Sequence, residues 1–263
     1  MHENFTIEHD GDALLVFVGR AAQSRIVVQN PYELSWGYLR HIAAAFDHQR
    51  PAALDVVHIG GGGMVLARYF AYAHPASRQL IVEPNRAMTE AVLARVSFPA
   101  DAKLTLRHEL GRPVIEELPA NSADLIVVDA FAGGHVPEDL TTAECVTRLN
   151  CALRDEGILV YGLIDHPDMQ YVARVCATIR AATPLRMTVM SPHHPYFGNY
   201  TLLCTRGDAL TEDVLSTVTT VDSGYVRCTA ARLDSICEAA DVLTDASPKP
   251  SPDPPSETLG ASW

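Results

Sequence analysis

Short runs of apolar residues alternate with amphipathic stretches through most of the chain. The runs predict seven buried strands, at residues 54–59, 79–82, 103–107, 123–128, 158–164, 185–190 and 199–205. Apolar positions at helical spacing predict helices at 64–73, 86–96, 141–154 and 169–182, with a short helical segment after Pro113. This alternation is typical of an α/β fold with a mostly parallel sheet. The last two strands have no long helix between them, so we expect an antiparallel pair at the sheet edge.

Both ends of the chain depart from this alternation. Residues 13–19 and 25–28 predict a small N-terminal β-hairpin, and a helix is expected at 33–46. Two further helices are expected at 211–219 and 229–240. The end of the chain is rich in proline and poor in large apolar residues, which is typical of disorder. We therefore predict a hairpin appendage (1–30), a main α/β domain (31–208), a helical extension (209–245) and a disordered tail (246–263).

A cluster of glycines joins the first strand of the α/β domain to the next helix: Gly60, Gly61, Gly62 and Gly63. Without Cβ atoms, such a turn lets backbone N–H groups approach a ligand at the start of a helix. Glu83 ends the following strand, where its carboxylate can accept hydrogen bonds from ribose hydroxyls. Val65 occupies the last glycine position of the G-x-G-x-x-G pattern, which argues against NAD. The turn indicates a nucleoside site, although glycines that only close a tight turn would give the same pattern.

Asp129 follows the fourth predicted strand, Ala130 and Phe131 come next, and little charge lies nearby in the sequence. A carboxylate partly removed from water at this edge of the sheet has a raised pKa and can take a proton from an amine. The glycine-containing loop at 132–140 could close over it as a lid. Glu109 and Asp165 end two other strands, but a helix cap or a solvated loop residue is an equally reasonable role for each.

Composition narrows the classes of partner and substrate. The chain has 263 residues, 48% of them hydrophobic, and a formal net charge of −12. Because no basic block is present, DNA, RNA and an anionic membrane are not expected as partners, whereas a cationic substrate is favoured. The N-terminus lacks a basic start and an apolar segment, and no run is long enough to span a membrane. We expect a cytoplasmic protein.

Metal and disulfide chemistry are not expected. The six cysteines are scattered without a C-x-x-C pair. His193 and His194 are adjacent, but no second group of ligands accompanies them, so an exposed loop pair is the expected interpretation. Trp36 and Tyr38 could form the wall of a pocket, although burial in the core is more common for such residues.

Five segments of the chain resemble successive blocks of the spermidine synthase (aminopropyltransferase) family, in particular its short actinobacterial-type members. They are VVHIGGGGMVLARYF, LIVEP, DLIVVDAFAGGHVPEDLTTAE, GILVYGLID and FGNYTLLC. The similarity covers about residues 23–205. It implies a Rossmann-like fold of the class I methyltransferase type, with decarboxylated S-adenosylmethionine as the aminopropyl donor and a small-molecule amine as the acceptor. A homodimer is also expected, because the N-terminal hairpin offers a sheet edge for pairing.

The resemblance also implies roles for individual residues. The glycine turn would line the donor site, Glu83 would bind the ribose, and Asp129 would be the catalytic aspartate. Glu109 is the nearest substitute for the family acid that recognises adenine, which is Leu110 here. Candidate substrate contacts are Trp36, where the family has a tyrosine, and His135, Asp165 and Tyr196 near the ends of the later strands.

Several family carboxylates are missing from this chain. Gly63 stands where the family motif GGGDG has an aspartate that holds the donor's amino group, and Ala132 stands where a second aspartate helps to bind the diamine. Each charge-assisted contact of this kind contributes about 1.5 to 3 kcal/mol, so putrescine is not the expected acceptor. Two alternatives stay open: a methyltransferase that uses S-adenosylmethionine, and a nucleoside-binding homologue without catalysis.

Overall fold

The structure is a computed structural model in which residues 4–19, 21–47 and 53–254 are described. It begins with a small antiparallel sheet of three strands, β1 (Phe5–Asp10), β2 (Ala13–Val18) and β3 (Ala21–Val27). The predicted hairpin corresponds to β2 and β3, and the prediction missed β1. This first strand is mostly exposed, and therefore lacks the apolar run by which buried strands are recognised.

The rest of the chain forms a central sheet flanked by helices. After α1 (Gly37–Asp47) come five strand and helix pairs. In chain order these elements are β4 (Asp55–Ile59), α2 (Val65–Ala73), β5 (Arg78–Val82), α3 (Arg86–Leu93), β6 (Lys103–Arg107), α4 (Gly111–Glu117), β7 (Ala123–Val128), α5 (Ala143–Ala152), β8 (Leu153–Asp165) and α6 (Gln170–Ala182). A 3₁₀ turn, Glu138–Leu140, precedes α5. The chain continues through β9 (Arg186–Pro192), β10 (Gly198–Thr205), α7 (Glu212–Thr220), β11 (Tyr225–Arg227) and α8 (Ala230–Glu238).

The strand order across the central sheet is β11-β9-β10-β8-β7-β4-β5-β6. Strands β4 to β8 are parallel, whereas β10 is antiparallel to both β8 and β9. The predicted α/β architecture with an antiparallel last pair is confirmed. This pair does not form the edge itself, because the short strand β11 pairs with β9 on its outer side. Strand β11 has only three residues, which is too short for a periodic pattern of apolar positions to be recognised in the sequence.

Each face of the central sheet buries its own apolar core. Alternating residues of β7 point to opposite faces: Ile126 and Val128 pack with α4, α5, α6 and α8, and Leu125 and Val127 pack with α1, α2, α3 and α7. The N-terminal sheet joins the second core through Leu14, Val16 and Ile26. Arg68 of α2 also donates hydrogen bonds to the carbonyl oxygens of Val27 and Val28. The small sheet is therefore held against the helix that follows the glycine turn.

Residues 246–254, for which the sequence predicts disorder, make specific contacts in the structure. Ser251 is only 3% exposed, and its Oγ accepts a hydrogen bond of 3.0 Å from the backbone N–H of Val136. This segment has little apolar area, but it supplies hydrogen-bond acceptors to the loop that contains Val136. A prediction based on the hydrophobicity of the sequence does not detect such contacts. Residues 255–263, the rest of the predicted tail, lie outside the described residues.

Candidate active site

A cavity of about 780 Å³ lies at the carboxyl ends of the parallel strands. Its wall includes Gly60, Gly61 and Gly62 of the glycine turn after β4, Glu83 after β5 and Asp129 after β7. The loops from the ends of parallel strands meet at one edge of the sheet, so residues distant in sequence lie together there. The structure brings both predicted carboxylates to one cavity of a size usual for small-molecule sites.

The glycine turn and Glu83 are joined by hydrogen bonds. The backbone N–H groups of Gly61 and Gly62 each donate to Glu83 Oε2 at 3.1 Å, and the N–H of Asn85 donates to Oε1 at 2.9 Å. Gly60 has φ +98, and a Cβ there would lie 2.1 Å from the carbonyl oxygen of Asp129. The turn thus needs glycine for close packing against β7, and its amides hold the carboxylate of Glu83 at the cavity wall.

Gly63, also predicted to bind the donor, does not line the cavity. Its backbone N–H donates a hydrogen bond of 2.7 Å to Ser24 Oγ, and a Cβ at this position would lie 2.5 Å from Ser24 Cβ. Strand β3 occupies the space that a side chain would need. An aspartate could therefore enter at this position only if β3 moved, which the sequence could not reveal because the two segments are far apart in the chain.

Asp129 is partly buried and hydrogen-bonded to Tyr38. The hydroxyl of Tyr38 donates to Asp129 Oδ2 at 3.0 Å. Oδ1 lies against β8, where a Cβ on Gly162 would approach it to 2.4 Å. Burial raises the pKa of Asp129 to about 6, and the hydrogen bond from Tyr38 opposes that rise. This pKa keeps the carboxylate ionised at neutral pH while making it a stronger base than an ordinary aspartate.

Tyr38 is buried in the core, the more common interpretation of such residues, and it also contacts the candidate base. Burial raises its pKa well above the ordinary value, and the charge of Asp129 adds to the rise, so Tyr38 stays a hydrogen-bond donor. Trp36, a predicted substrate contact, does line the cavity, and its ring is stacked on Tyr38 at 6.1 Å between centroids. The sequence does contain a signal for Tyr38: it lies two residues after Trp36, and the two aromatic side chains together could form the wall of a pocket.

Of the remaining predicted site residues, Glu109 lines the cavity and three others do not. Glu109 is paired with Arg107 through two hydrogen bonds of 2.8 Å, which lower its pKa. Asp165 is 2% exposed and accepts hydrogen bonds of 2.8 Å from the amides of His166 and Val172. Its carboxylate therefore supports the loop and first turn leading into α6, the capping role considered as the alternative.

Two further predicted substrate contacts lie elsewhere on the surface. Tyr196 is 69% exposed, beside His194 in a loop. His135 faces the C-terminal segment, with Nδ1 at 3.3 Å from the carbonyl oxygen of Ser251 and Nε2 at 3.5 Å from Asp253. Neither residue lines the cavity, and a role of either in substrate binding stays a prediction. The loops that carry these side chains do reach the cavity, through Phe197 and Ala132.

The cavity wall has an excess of negative charge. Four carboxylate residues line it, and no lysine or arginine does so among the described residues; the acids are Glu83, Glu109, Asp129 and Asp139. A wall of this charge favours a cationic ligand and disfavours a pyrophosphate. Within the same part of the chain, no group of three or more histidine, cysteine, aspartate or glutamate residues is arranged to hold a metal ion. None of the helices in the described ranges is long and apolar enough to cross a membrane.

Comparison with known proteins gives matches among solved structures only. No protein-family model matches the sequence, and no curated protein matches it. The structure is similar to a probable spermidine synthase from Corynebacterium glutamicum, with a TM-score of 0.82 and 24% identity over 92% of each chain. It is also similar to a spermidine synthase in complex with the transition state analogue AdoDATO, with a TM-score of 0.61 and 17% identity, over 79% of this chain and 72% of that chain.

A third similar structure is human methyltransferase-like protein 13 in complex with SAH. Its TM-score is 0.58 at 18% identity, and the match covers 86% of this chain and 98% of that chain. The resemblance noted in the sequence is thus confirmed at the level of the fold. This chain has the Rossmann-like fold of the spermidine synthases, which the methyltransferase shares.

Proposed function

We propose that this protein is a transferase that moves an aminopropyl group from decarboxylated S-adenosylmethionine, a sulfonium nucleoside, to an amine. One observation carries the proposal: the glycine turn, Glu83 and Asp129 share a single cavity whose wall has four carboxylate residues and no lysine or arginine among the described residues. Both the donor and a protonated amine are cations, so this wall attracts both. The similar structures, which include spermidine synthases, support the same class of reaction.

In this proposal the nucleoside lies against the glycine turn. Glu83 would hold the ribose, because its carboxylate is fixed at the cavity wall by three backbone amides and is a strong acceptor for hydroxyl groups. The donor supplies an electrophilic carbon that is already bonded to a good leaving group, the sulfonium sulfur. The residues of the protein then need to align the two reactants and supply a base.

Asp129 would be that base. Its carboxylate takes a proton from the ammonium form of the acceptor, and the freed nitrogen lone pair attacks the carbon next to sulfur. The new C–N bond forms as the C–S bond breaks, and the bonding electron pair stays on sulfur, which leaves as a neutral thioether. The pKa of about 6 suits this task, because the carboxylate is ionised at neutral pH and is more basic than an exposed one. Tyr38 keeps it in position.

A second candidate, a methyltransferase that uses intact S-adenosylmethionine, is supported by one feature of the turn. Gly63 has no carboxylate and packs on Ser24, so it provides no anionic partner for the amino group of an aminopropyl donor. The similar structure of a methyltransferase with SAH supports this alternative as well. The two candidates differ in the donor that they consume, and this difference can be measured.

The test compares thermal stabilisation by four nucleosides and then measures turnover. The ligands are S-adenosylmethionine, its decarboxylated form, methylthioadenosine and NAD. A ligand at 100 times its Kd stabilises the protein by about 2.7 kcal/mol, which a melting experiment resolves. We expect stabilisation by the decarboxylated donor and methylthioadenosine but not by NAD. A preference for intact S-adenosylmethionine would support the methyltransferase, and no stabilisation by any nucleoside would overturn both.

The variant Asp129→Asn tests the base. It keeps the shape of the side chain but cannot accept a proton, so turnover should be lost while stabilisation by methylthioadenosine is retained. Asp101→Asn is the matched control, because this exposed aspartate does not line the cavity, and its turnover should equal that of the unaltered protein. Undiminished turnover in Asp129→Asn would remove Asp129 from the reaction.

A further inference from the structure

The cavity has a distinct region around Asp129, which we call the acceptor end. It is lined by Trp36, Tyr38, Phe131, Ile164, Phe197 and Asn199. Asp129 Oδ1 lies against Gly162, and Ile164 is two residues further along β8, so both positions face the same side of the strand. Asn199 of β10 is paired with Ile164, and Phe197 precedes that strand. An amine that is deprotonated by Asp129 must therefore place the rest of its body against these side chains.

Asp129 is the one carboxylate at the acceptor end within the described residues. Glu83 is held at the glycine turn, and Glu109 is paired with Arg107 after β6. Asp139 lies beside the start of α4, because its carbonyl oxygen accepts a hydrogen bond of 2.9 Å from Arg112. The acceptor end can therefore neutralise one ammonium group. A second ammonium group on the same molecule would be removed from water without an ionic partner, which is costly.

The wall around this single charge is mostly apolar. Phe197 is 6% exposed and Trp36 is 9% exposed. Four aromatic side chains line the cavity here: Trp36, Tyr38, Phe131 and Phe197. Aromatic rings pack favourably on one another in offset or edge contacts, so this wall favours an apolar body that contains a ring.

From the single carboxylate and the aromatic wall we infer that the acceptor is a primary monoamine with an apolar, ring-containing body. This inference rests on the proposed function, and it names the class of amine which that function would use. One ammonium group meets Asp129, and the ring packs on the aromatic wall. A linear diamine satisfies the first contact only.

The test measures kcat/KM with decarboxylated S-adenosylmethionine and two amines, phenethylamine and putrescine. Mass spectrometry identifies the aminopropylated products. We expect kcat/KM to be about tenfold or more higher for phenethylamine than for putrescine. In Trp36→Leu, which removes a ring from the wall but keeps an apolar side chain, this advantage should become smaller.

A pair of variants at the cavity wall tests the charge argument separately. Ala132 lines the cavity, is exposed and lies in the loop that follows Asp129, so it tolerates a larger side chain. Ala132→Asp adds a second carboxylate and should move the preference toward putrescine. Ala132→Asn has nearly the same shape without the charge and should not.

The outcomes distinguish this inference from the proposed function. Stabilisation by methylthioadenosine together with a kcat/KM for putrescine equal to or higher than that for phenethylamine would overturn the inference alone. An unchanged preference in Trp36→Leu would overturn the role of Trp36. Failure of every nucleoside to stabilise the protein, with no turnover of any amine, would overturn the proposed function and the inference together.

Discussion

Tyr38 and Asp129 are 91 positions apart in the chain and are joined by a hydrogen bond of 3.0 Å from the tyrosine hydroxyl to Oδ2. The bond links α1 to the end of β7 and holds one carboxylate oxygen in place. It also sets the basicity of Asp129, because a donor to the ionised form lowers the pKa that burial has raised.

Removal of the Tyr38 hydroxyl should therefore change the pH dependence of turnover. A base works only when it is deprotonated, so kcat/KM of the unaltered protein should be half-maximal near pH 6, rise toward its full value as the pH increases and fall as the pH drops through that value. In Tyr38→Phe the pKa of Asp129 rises, and the acidic limb of the profile should move to higher pH. The measurement is kcat/KM from pH 5 to pH 9. Tyr32→Phe is the control, because this tyrosine is exposed and does not line the cavity, and an unmoved limb in Tyr38→Phe would contradict the assigned contact.

Glu83 and Glu109 both line the cavity, but their partners differ. Glu83 accepts hydrogen bonds from the turn that is proposed to hold the nucleoside, whereas Glu109 is half-exposed and paired with Arg107. We expect Glu83→Gln to weaken methylthioadenosine binding by about tenfold or more, because a charge-assisted acceptor for the ribose is lost. Glu109→Gln should have a smaller effect. Isothermal titration calorimetry measures both, and equal losses would argue against a special role for Glu83.

Gly162 determines where the Asp129 carboxylate can lie. A Cβ at this position would approach Oδ1 to 2.4 Å, which is closer than real contacts allow. In Gly162→Ala the carboxylate must therefore shift, and kcat should fall by about tenfold or more because catalysis is sensitive to small displacements of the base. Stabilisation by methylthioadenosine should be retained, since the glycine turn is untouched. A variant with normal kcat would show that the position of Oδ1 is unimportant.

Ser251 should contribute to stability through the loop after Asp129. Its Oγ accepts a hydrogen bond from the buried amide of Val136, so Ser251→Ala leaves that amide unsatisfied. The expected loss is about 1 to 3 kcal/mol in the free energy of unfolding, measured by urea denaturation. Ser247→Ala, an exposed position in the same segment, should change it by less than about 0.5 kcal/mol. Equal values for the two variants would mean that the segment does not hold the loop.

Local patterns in the sequence were sufficient to predict the α/β fold and the principal site. Apolar runs mark buried strands because their residues must leave water, and the loops at the carboxyl ends of parallel strands meet at one edge. For that reason the glycines at 60–62, Glu83 and Asp129 could be placed together without coordinates, and the structure has all of them in one cavity wall.

The sequence alone could not determine which side chains meet across the fold. Three contacts depend on how α1, β3 and the C-terminal segment pack on the sheet. They join Tyr38 to Asp129, Gly63 to Ser24, and Ser251 to Val136. Periodicity gives the face on which a residue lies, but it carries no information about which distant segment covers that face. For the same reason, only the tertiary structure could separate Trp36, which lines the cavity, from His135, Asp165 and Tyr196, which do not.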